Sequence, residues 1–141
     1  MVSEQLFAVM FADIAGSSAL YKTMGDARAK AAIFTAIDKM SVLIKQHDGA
    51  VVKFIGDEIL CYFSSADLAV LAASNLQKAF KHPLDDLPHS PILSLRIGVH
   101  WGPALLDKGD IFGDAVNTAA RMVAASRKRR RRGIASPCSA L

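Results

Sequence analysis

Two short β-rich runs, Ala50 to Ile55 and Glu58 to Phe63, flank the dipeptide Gly56-Asp57. No other feature constrains the fold of this chain as tightly. Glycine supplies the positive φ that a primed two-residue turn needs, so the two runs must form an antiparallel hairpin in one register. A hairpin alone is marginal in water. The rest of the chain has to supply further strands and helices to cover it.

Those elements can be read outward from the hairpin. Leu6 to Phe11 is a continuous apolar run of strand length, suited to a strand buried on both faces. It gives way to Asp13-Ile14-Ala15-Gly16-Ser17-Ser18, a polar small-residue turn in which Ser17 or Ser18 can cap a helix. From Asp26 to His47 the apolar residues Ile33, Ile37, Met40 and Ile44 repeat at helical spacing, and Asp48-Gly49 is the stop. Ser64-Ser65 opens an Ala-rich helix to about Phe80, with Leu68, Leu71, Ala72, Leu76 and Phe80 on or near one face. The proline-rich stretch from His82 to Pro91 reads as a loop. Leu93, Leu95, Ile97 and Val99 alternate as one side of a strand. Gly102-Pro103 is expected to turn that strand into another, Ala104 to Leu106. Asp114 is placed to cap a last helix from Ala115 to about Ala125. The expected order β-α-β-β-α-β-β-α defines an α+β sandwich of the ferredoxin-like kind, a mainly antiparallel sheet with helices packed on it. In such a sheet the first strand is expected beside the strand after the first helix, bringing Asp13 close to Asp57.

Charge narrows the function classes. The 141 residues carry a formal net charge of +4, which at first suggests a nucleic-acid or membrane-surface protein. Six of the 17 basic groups, however, form the single run Arg127 to Arg132. Without them eleven basic and thirteen acidic residues remain, a net charge of −2. The basic character belongs to the tail, residues 127–141, which has no strand alternation or helical stripe and reads as disordered. The body, residues 1–126, reads as one domain. The run has no interleaved aromatics, so a solvated tail is the expectation over specific nucleic-acid binding. No apolar stretch reaches membrane-spanning length, and Met1 to Gln5 has no signal-like basic region. Cys61 and Cys138 form no disulfide framework, and His47, His82, His89 and His100 are too scattered for zinc. A cytoplasmic protein is expected.

Two carboxylates carry the chemistry. If the ends bearing Asp13 and Asp57 meet, the two groups repel, and a divalent cation would relieve the strain. Paired cations of this kind clamp attacking and leaving oxygens in phosphoryl transfer. Backbone N–H groups of the turn around Gly16, Ser17 and Ser18 could face a polyphosphate. Each aspartate could instead be an ordinary turn or cap residue. Lys53, amid strand residues, is either an outward edge lysine or a specific contact. Asn117 and Arg121 share one face of the last helix, either to bind ribose and phosphate or simply in solvent.

Taken jointly, four segments resemble the class III adenylate and guanylate cyclase catalytic domain. They are Phe11 to Ser18, Lys53 to Glu58, Arg96 to Gly102 and Gly109 to Met122, in order and at family-like spacing. The resemblance covers about residues 5 to 126. It implies an antiparallel homodimer with active sites between the subunits. It also implies that Asp13 and Asp57, with the Ile14 carbonyl, hold two Mg²⁺ or Mn²⁺ ions. From the other subunit, Lys53 and Asp110 would read the adenine edge, where family guanylate cyclases typically carry Glu and Cys. Asn117 would orient the ribose and Arg121 would stabilise charge on the α-phosphate. The implied reaction converts ATP to cyclic AMP and pyrophosphate, an adenylate cyclase, and favours the contact reading of Lys53. Past Ser126 the resemblance stops. The chain enters its arginine run where family members continue into further strands, so the expected sheet lacks the last family strands and the expected turnover is weak or absent. The competing readings are a diguanylate cyclase and a catalytically silent nucleotide-binding or dimerisation module. The former is disfavoured because no second glycine precedes Gly56-Asp57-Glu58 and Asn117 and Arg121 find no place in it.

Overall fold

The N-terminal apolar run is the middle strand of the sheet, and it is twice the length its hydrophobic core suggested. A computed structural model describes residues 3–84 and 91–131. In it β1 spans Glu4–Ala15, α1 Ser17–Met24, α2 Asp26–Gln46, β2 Ala50–Ile55, β3 Glu58–Phe63 and α3 Ala66–Ala79. The long strand β4 spans Ser94–Asp107, followed by β5 Asp110–Phe112 and α4 Asp114–Arg131. The strand order is β2-β3-β1-β4-β5, and every neighbouring pair is antiparallel. None of the described helices is long and apolar enough to cross a membrane.

Alternation along β1 builds a core on each side of the sheet. Ala8, Met10, Ala12 and Ile14 face α2 and α3, where they meet Ile33, Ile37, Met40, Ile44, Ala72 and Leu76. The helical stripe read from α2, the Leu95 and Ile97 side of β4, and Leu93 just before that strand all lie in this core. Phe7, Val9 and Phe11 point the other way, against Ala115, Ala119 and Val123 of α4. The result is a three-layer α/β/α sandwich in which Phe7 to Ile14 of β1 are buried on both faces, while Glu4 to Leu6 stay exposed.

Several sequence expectations are corrected. The first strand lies beside β3 and β4, and β2 is the outer strand of the hairpin. The hairpin leaves one free edge on each of its strands, and it is the edge of the more buried β3 that β1 takes. Gly102-Pro103 does not turn the chain. Both residues pair with β1, opposite Phe7 and Leu6, and β4 runs straight through them. The turn comes later, at Lys108 (φ 51°) and Gly109 (φ 78°), two positive-φ positions that make a primed hairpin into β5. The segment from Ser17 to Gln46 is two helices broken at Gly25, and α1 is capped by Gly16, not by Ser17 or Ser18. Asp114 sits in the first turn of α4, whose first bond runs from the Asn117 N–H to the Gly113 carbonyl. Leu71 is exposed, its place on the packed face of α3 taken by Ala69 and Ala73. The α4 backbone continues to Arg131, five residues past the expected boundary at 126, while residues 132–141 and Cys138 lie outside the described residues.

The close approach of α4 to the sheet depends on Gly98. A Cβ there would lie 2.8 Å from Val123 Cγ2 and 2.9 Å from the Ala119 carbonyl oxygen. A Cβ at Gly102 would meet only the His100 ring and Ala115 Cβ, at 3.2 to 3.4 Å. We expect Gly98→Ala to push α4 off β4 and cost about 1–3 kcal/mol in urea unfolding, with Gly102→Ala costing less. Equal costs for the two would contradict this account of how α4 docks.

Candidate active site

Asp13 sits within the central strand, two residues short of its end. Alternation places it on the α4 face with Phe7, Val9 and Phe11, and register sets it between Glu58 of β3 and Arg96 of β4. It is 3% exposed. Arg96 Nε donates to Asp13 Oδ1 at 2.9 Å. A carboxylate paired on both flanks of a buried strand is not a turn or cap residue, which disposes of that reading for Asp13.

Asp57 is the second residue of the β2–β3 turn, as the sequence required. Gly56 takes φ 61°, and the turn closes on the Ile55–Glu58 pair. Because Asp57 adjoins Glu58, and Glu58 is opposite Asp13, the two candidate metal aspartates share one end of the sheet. The strand that sets them at this end is β3, not β2. Asp57, Gly56 and Ser17 line a cavity of about 300 Å³ together with Tyr21, Lys30, Ile33 and Phe34. Gly16, at φ 74°, turns the chain from β1 into α1. The N–H groups of Ser17 and Ser18 therefore begin a helix and have no partner within it. Ile14 is fully buried, its side chain in the α2/α3 core.

Among the described residues no three His, Cys, Asp or Glu side chains gather into a metal cage. The donor set that remains is two carboxylates and a backbone carbonyl, all hard oxygens. That set fits Mg²⁺ or Mn²⁺, which commonly complete their shells with water and substrate phosphate rather than protein.

Lys53 and Asp110 stand on β2 and β5, the two outer strands, yet Lys53 Nζ lies 3.1 Å from Asp110 Oδ2. Two local features bring them together. A bulge in β2 sets Val51 opposite Cys61 and Lys53 opposite Leu60, so Val52 is an extra residue. Without it, Lys53 would fall on the same side as Cys61, toward α2 and α3. With it, Lys53 joins Leu60 on the α4 side. The Lys108-Gly109 turn then brings β5 back along β4, with Asp110 as its first residue. Asp110 Oδ1 accepts the Ile111 N–H at 2.8 Å. That bond, and secondly the Lys53 ammonium, hold the Asp110 carboxyl below the usual carboxylate range.

Asn117 and Arg121 lie on the exposed side of α4, opposite the packed stripe Ala115, Ala119 and Val123. Arg121 donates to Thr118 Oγ1 at 3.2 Å. The structure brings Lys53 and Asp110 into contact, sets Ser17 and Asp57 around one cavity, and places Asn117 and Arg121 one turn apart on the exposed side of α4; Asp13 lies at the same end of the sheet as Asp57 but is not in the lining of that cavity. Sequence reasoning gave no role to Arg96 or to Lys30. Arg96 was visible inside a motif, but its place opposite Asp13 follows only from strand pairing. Lys30 lies on the solvent side of the α2 stripe, where a lysine carries no signal. Cys61 is fully buried in β3, and desolvation pushes its thiol upward, so it serves packing.

This fold and these groups define a nucleotide cyclase domain. Residues 2–131 match the model of the adenylate and guanylate cyclase catalytic domain. The chain belongs to that family. It is 36% identical over 125 residues to a Rhizobium meliloti (strain 1021) protein provisionally named adenylate cyclase 3, covering 87% of this chain and 21% of that protein. It is 30% identical over 128 residues to an adenylate cyclase of Streptomyces coelicolor, covering 91% of this chain and 32% of the relative. The chain therefore spans about a fifth to a third of these relatives. Among solved structures, an adenylate/guanylate cyclase/hydrolase from Silicibacter pomeroyi aligns with TM-score 0.73 at 30% identity, covering 94% of this chain and 84% of that one. A bacterial light-regulated adenylyl cyclase shares the fold, with TM-score 0.78 at 23% identity over 91% of this chain and 42% of the other.

The Lys53–Asp110 geometry makes a pH prediction. The folded Asp110 carboxyl has a lower pKa than the unfolded one, so its stabilising contribution is full above the unfolded value of about 3.9. It is lost as acid carries the pH down through the folded value. The stability difference between the wild type and Asp110→Asn should accordingly be flat near neutrality and shrink below about pH 4. In carboxyl NMR titrations Lys53→Met should raise the Asp110 midpoint only part-way, because the Ile111 bond remains. A full return to the ordinary aspartate value would contradict the order of causes.

Proposed function

We propose that the domain converts ATP into 3′,5′-cyclic AMP and pyrophosphate in the cytoplasm, at sites completed between two copies of the chain. The Lys53–Asp110 pair carries this reading. Lysine offers donors and aspartate only acceptors. Adenine presents a ring-nitrogen acceptor beside an amine donor, whereas guanine shows a carbonyl acceptor in place of the amine. A lysine donor and an aspartate acceptor side by side complement adenine and oppose guanine. The pair leaves capacity for this, since an ammonium has three protons and a carboxylate about four acceptor sites. The adenylate cyclases among the relatives support the same substrate.

Asp13 and Asp57, with the Ile14 carbonyl, are the groups that would hold Mg²⁺ or Mn²⁺, two to a site. Such ions, when bound, make the ribose 3′-hydroxyl a better nucleophile and neutralise phosphate charge. The chain's own residues do the positioning. The N–H groups of Ser17 and Ser18, beyond the Gly16 turn, hold polyphosphate oxygens at the start of α1. Asn117 bonds and orients the ribose. Arg121 places its guanidinium where negative charge grows on the α-phosphate. The 3′-oxygen gives up its proton to water and bonds to the α-phosphorus, the bond to the α–β bridging oxygen breaks, and pyrophosphate leaves with that electron pair. Asn117 and Arg121 face away from their own sheet, which suits service to a site on a second copy.

Incubation of the chain with ATP and Mn²⁺ should yield cyclic AMP and pyrophosphate in equal amounts. Asp57→Ala should reduce the rate about a hundredfold or more, the loss expected when several kcal/mol of charge stabilisation are removed. Product formation at the same rate in that variant would sink the metal role. Mixing inactive Asp57→Ala with inactive Arg121→Ala should restore roughly a quarter of wild-type activity through randomly paired heterodimers with one intact site. The double change Lys53→Glu with Asp110→Cys should move preference from ATP toward GTP. A wild-type chain that binds ATP without turning it over would instead be a silent module of the same fold.

A further inference from the structure

Helices α1 and α2 and the β2–β3 turn surround the cavity of about 300 Å³, and only part of its lining has a task in the reaction outlined above. Asp57 and the Ser17 N–H are used there. Lys30, the one basic residue in that lining, is not. It stands in the second turn of α2, where helical spacing offers it Asp26 as an i,i+4 surface partner. It does not take that partner. Among the described residues Lys30 makes no hydrogen bond or ion pair. Its Nζ lies instead 5.6 Å from the centroid of the Phe34 ring, which lines the same cavity. A cation–π contact at an exposed position is weak, and it leaves all three ammonium donors without an acceptor.

Those donors call for an anion, and the rest of the cavity narrows its kind. A volume at the lower end of the small-molecule range suits a phosphate group with its water better than a whole nucleotide. The cavity shares Ser17 with the start of α1, where the polyphosphate is placed. A polyphosphate held there by its inner oxygens leaves its outermost group, the most highly charged, unengaged. Tyr21, Ile33 and Phe34 wall the cavity with apolar surface, which strengthens the pull of an ammonium on such a charge. We propose that Lys30 is a substrate-binding residue whose ammonium takes the terminal phosphate of a nucleoside triphosphate, so that the cavity measures polyphosphate length. The inference rests on the roles given above to Asp57 and Ser17, and it assigns that site its preference for a triphosphate over a diphosphate.

The test uses the full chain with Mn²⁺ and the 3′-deoxy analogues of ATP and ADP, which lack the attacking hydroxyl and so bind without reacting. Wild type, Lys30→Met, Lys30→Arg and Asp57→Ala are titrated calorimetrically. Wild type should bind the triphosphate more tightly than the diphosphate. Lys30→Met keeps the stem and removes the charge. It should weaken triphosphate binding roughly tenfold, a change of about 1.4 kcal/mol, and leave the diphosphate within about twofold. Lys30→Arg keeps the charge and should stay within about threefold of wild type for both nucleotides. Lys30 is exposed, so both variants should melt with wild type. A markedly lower melting point for Lys30→Met would mark a packing role and overturn the proposal. Equal losses for the two nucleotides in Lys30→Met overturn it too, because a general attraction does not measure length. If Lys30→Met binds the triphosphate like wild type while Asp57→Ala binds it weakly, only the role of Lys30 fails. If wild type and Asp57→Ala bind it alike, or neither binds it, the site itself fails and the proposal with it.

Discussion

The structure depends on β1 being paired along both edges and covered on both faces. All twelve of its residues pair with β4, and Ala8 to Asp13 pair with β3 as well, so the backbone groups of that middle stretch are drawn into the sheet on both sides. Residues of opposite parity then anchor two separate cores, one under α2 and α3, the other under α4. A strand so placed tolerates little polarity. Asp13 is therefore conspicuous: it lies where an apolar residue would be expected, and its presence obliges the fold to supply Arg96 opposite it.

The same centrality explains how the candidate site is distributed. With β1 in the middle, the hairpin turn that bears Asp57 reaches the strand end that bears Asp13, and α1 starts from that same end. The outer strands β2 and β5 meet through Lys53 and Asp110 although three strands separate them in the sheet. Twist and coiling of the sheet draw the outer strands toward one another. The Val52 bulge and the Lys108-Gly109 turn then aim the two side chains. Each device is local and involves one or two residues, and together they convert distant sequence positions into one ion pair.

Much of this was legible in the sequence because it follows from period and turn chemistry. The Gly56-Asp57 hairpin, the α2 stripe from Ile33 to Ile44 and the alternation from Leu93 to Val99 are all local signals, and all correspond to observed elements. What the sequence concealed was non-local. Gly102-Pro103 has the composition of a turn, but its place opposite Phe7 and Leu6 makes it strand, since tertiary pairing outweighs local preference. Lys108-Gly109 turns without the Asn-Gly or Asp-Gly signature. The bulge at Val52 leaves no mark in the alternation of Val51-Val52-Lys53, so the face on which Lys53 lies could not be read from the run itself. The partner of Asp13 was hidden for the same reason: register is a property of two strands.

The two ion pairs differ in a way that matches different tasks. Lys53 and Asp110 are each substantially exposed, at 46% and 32%, and solvent screening leaves such a pair weak. A nucleotide base can insert its own donors and acceptors there at little cost, so the pair is pre-aligned without being locked. Asp13 and Arg96 are shielded, and a charge buried there depends on its compensation far more than an exposed one does. The two pairs thus differ through burial alone, and the more stringent requirement falls at Asp13, the residue on which the central strand turns polar.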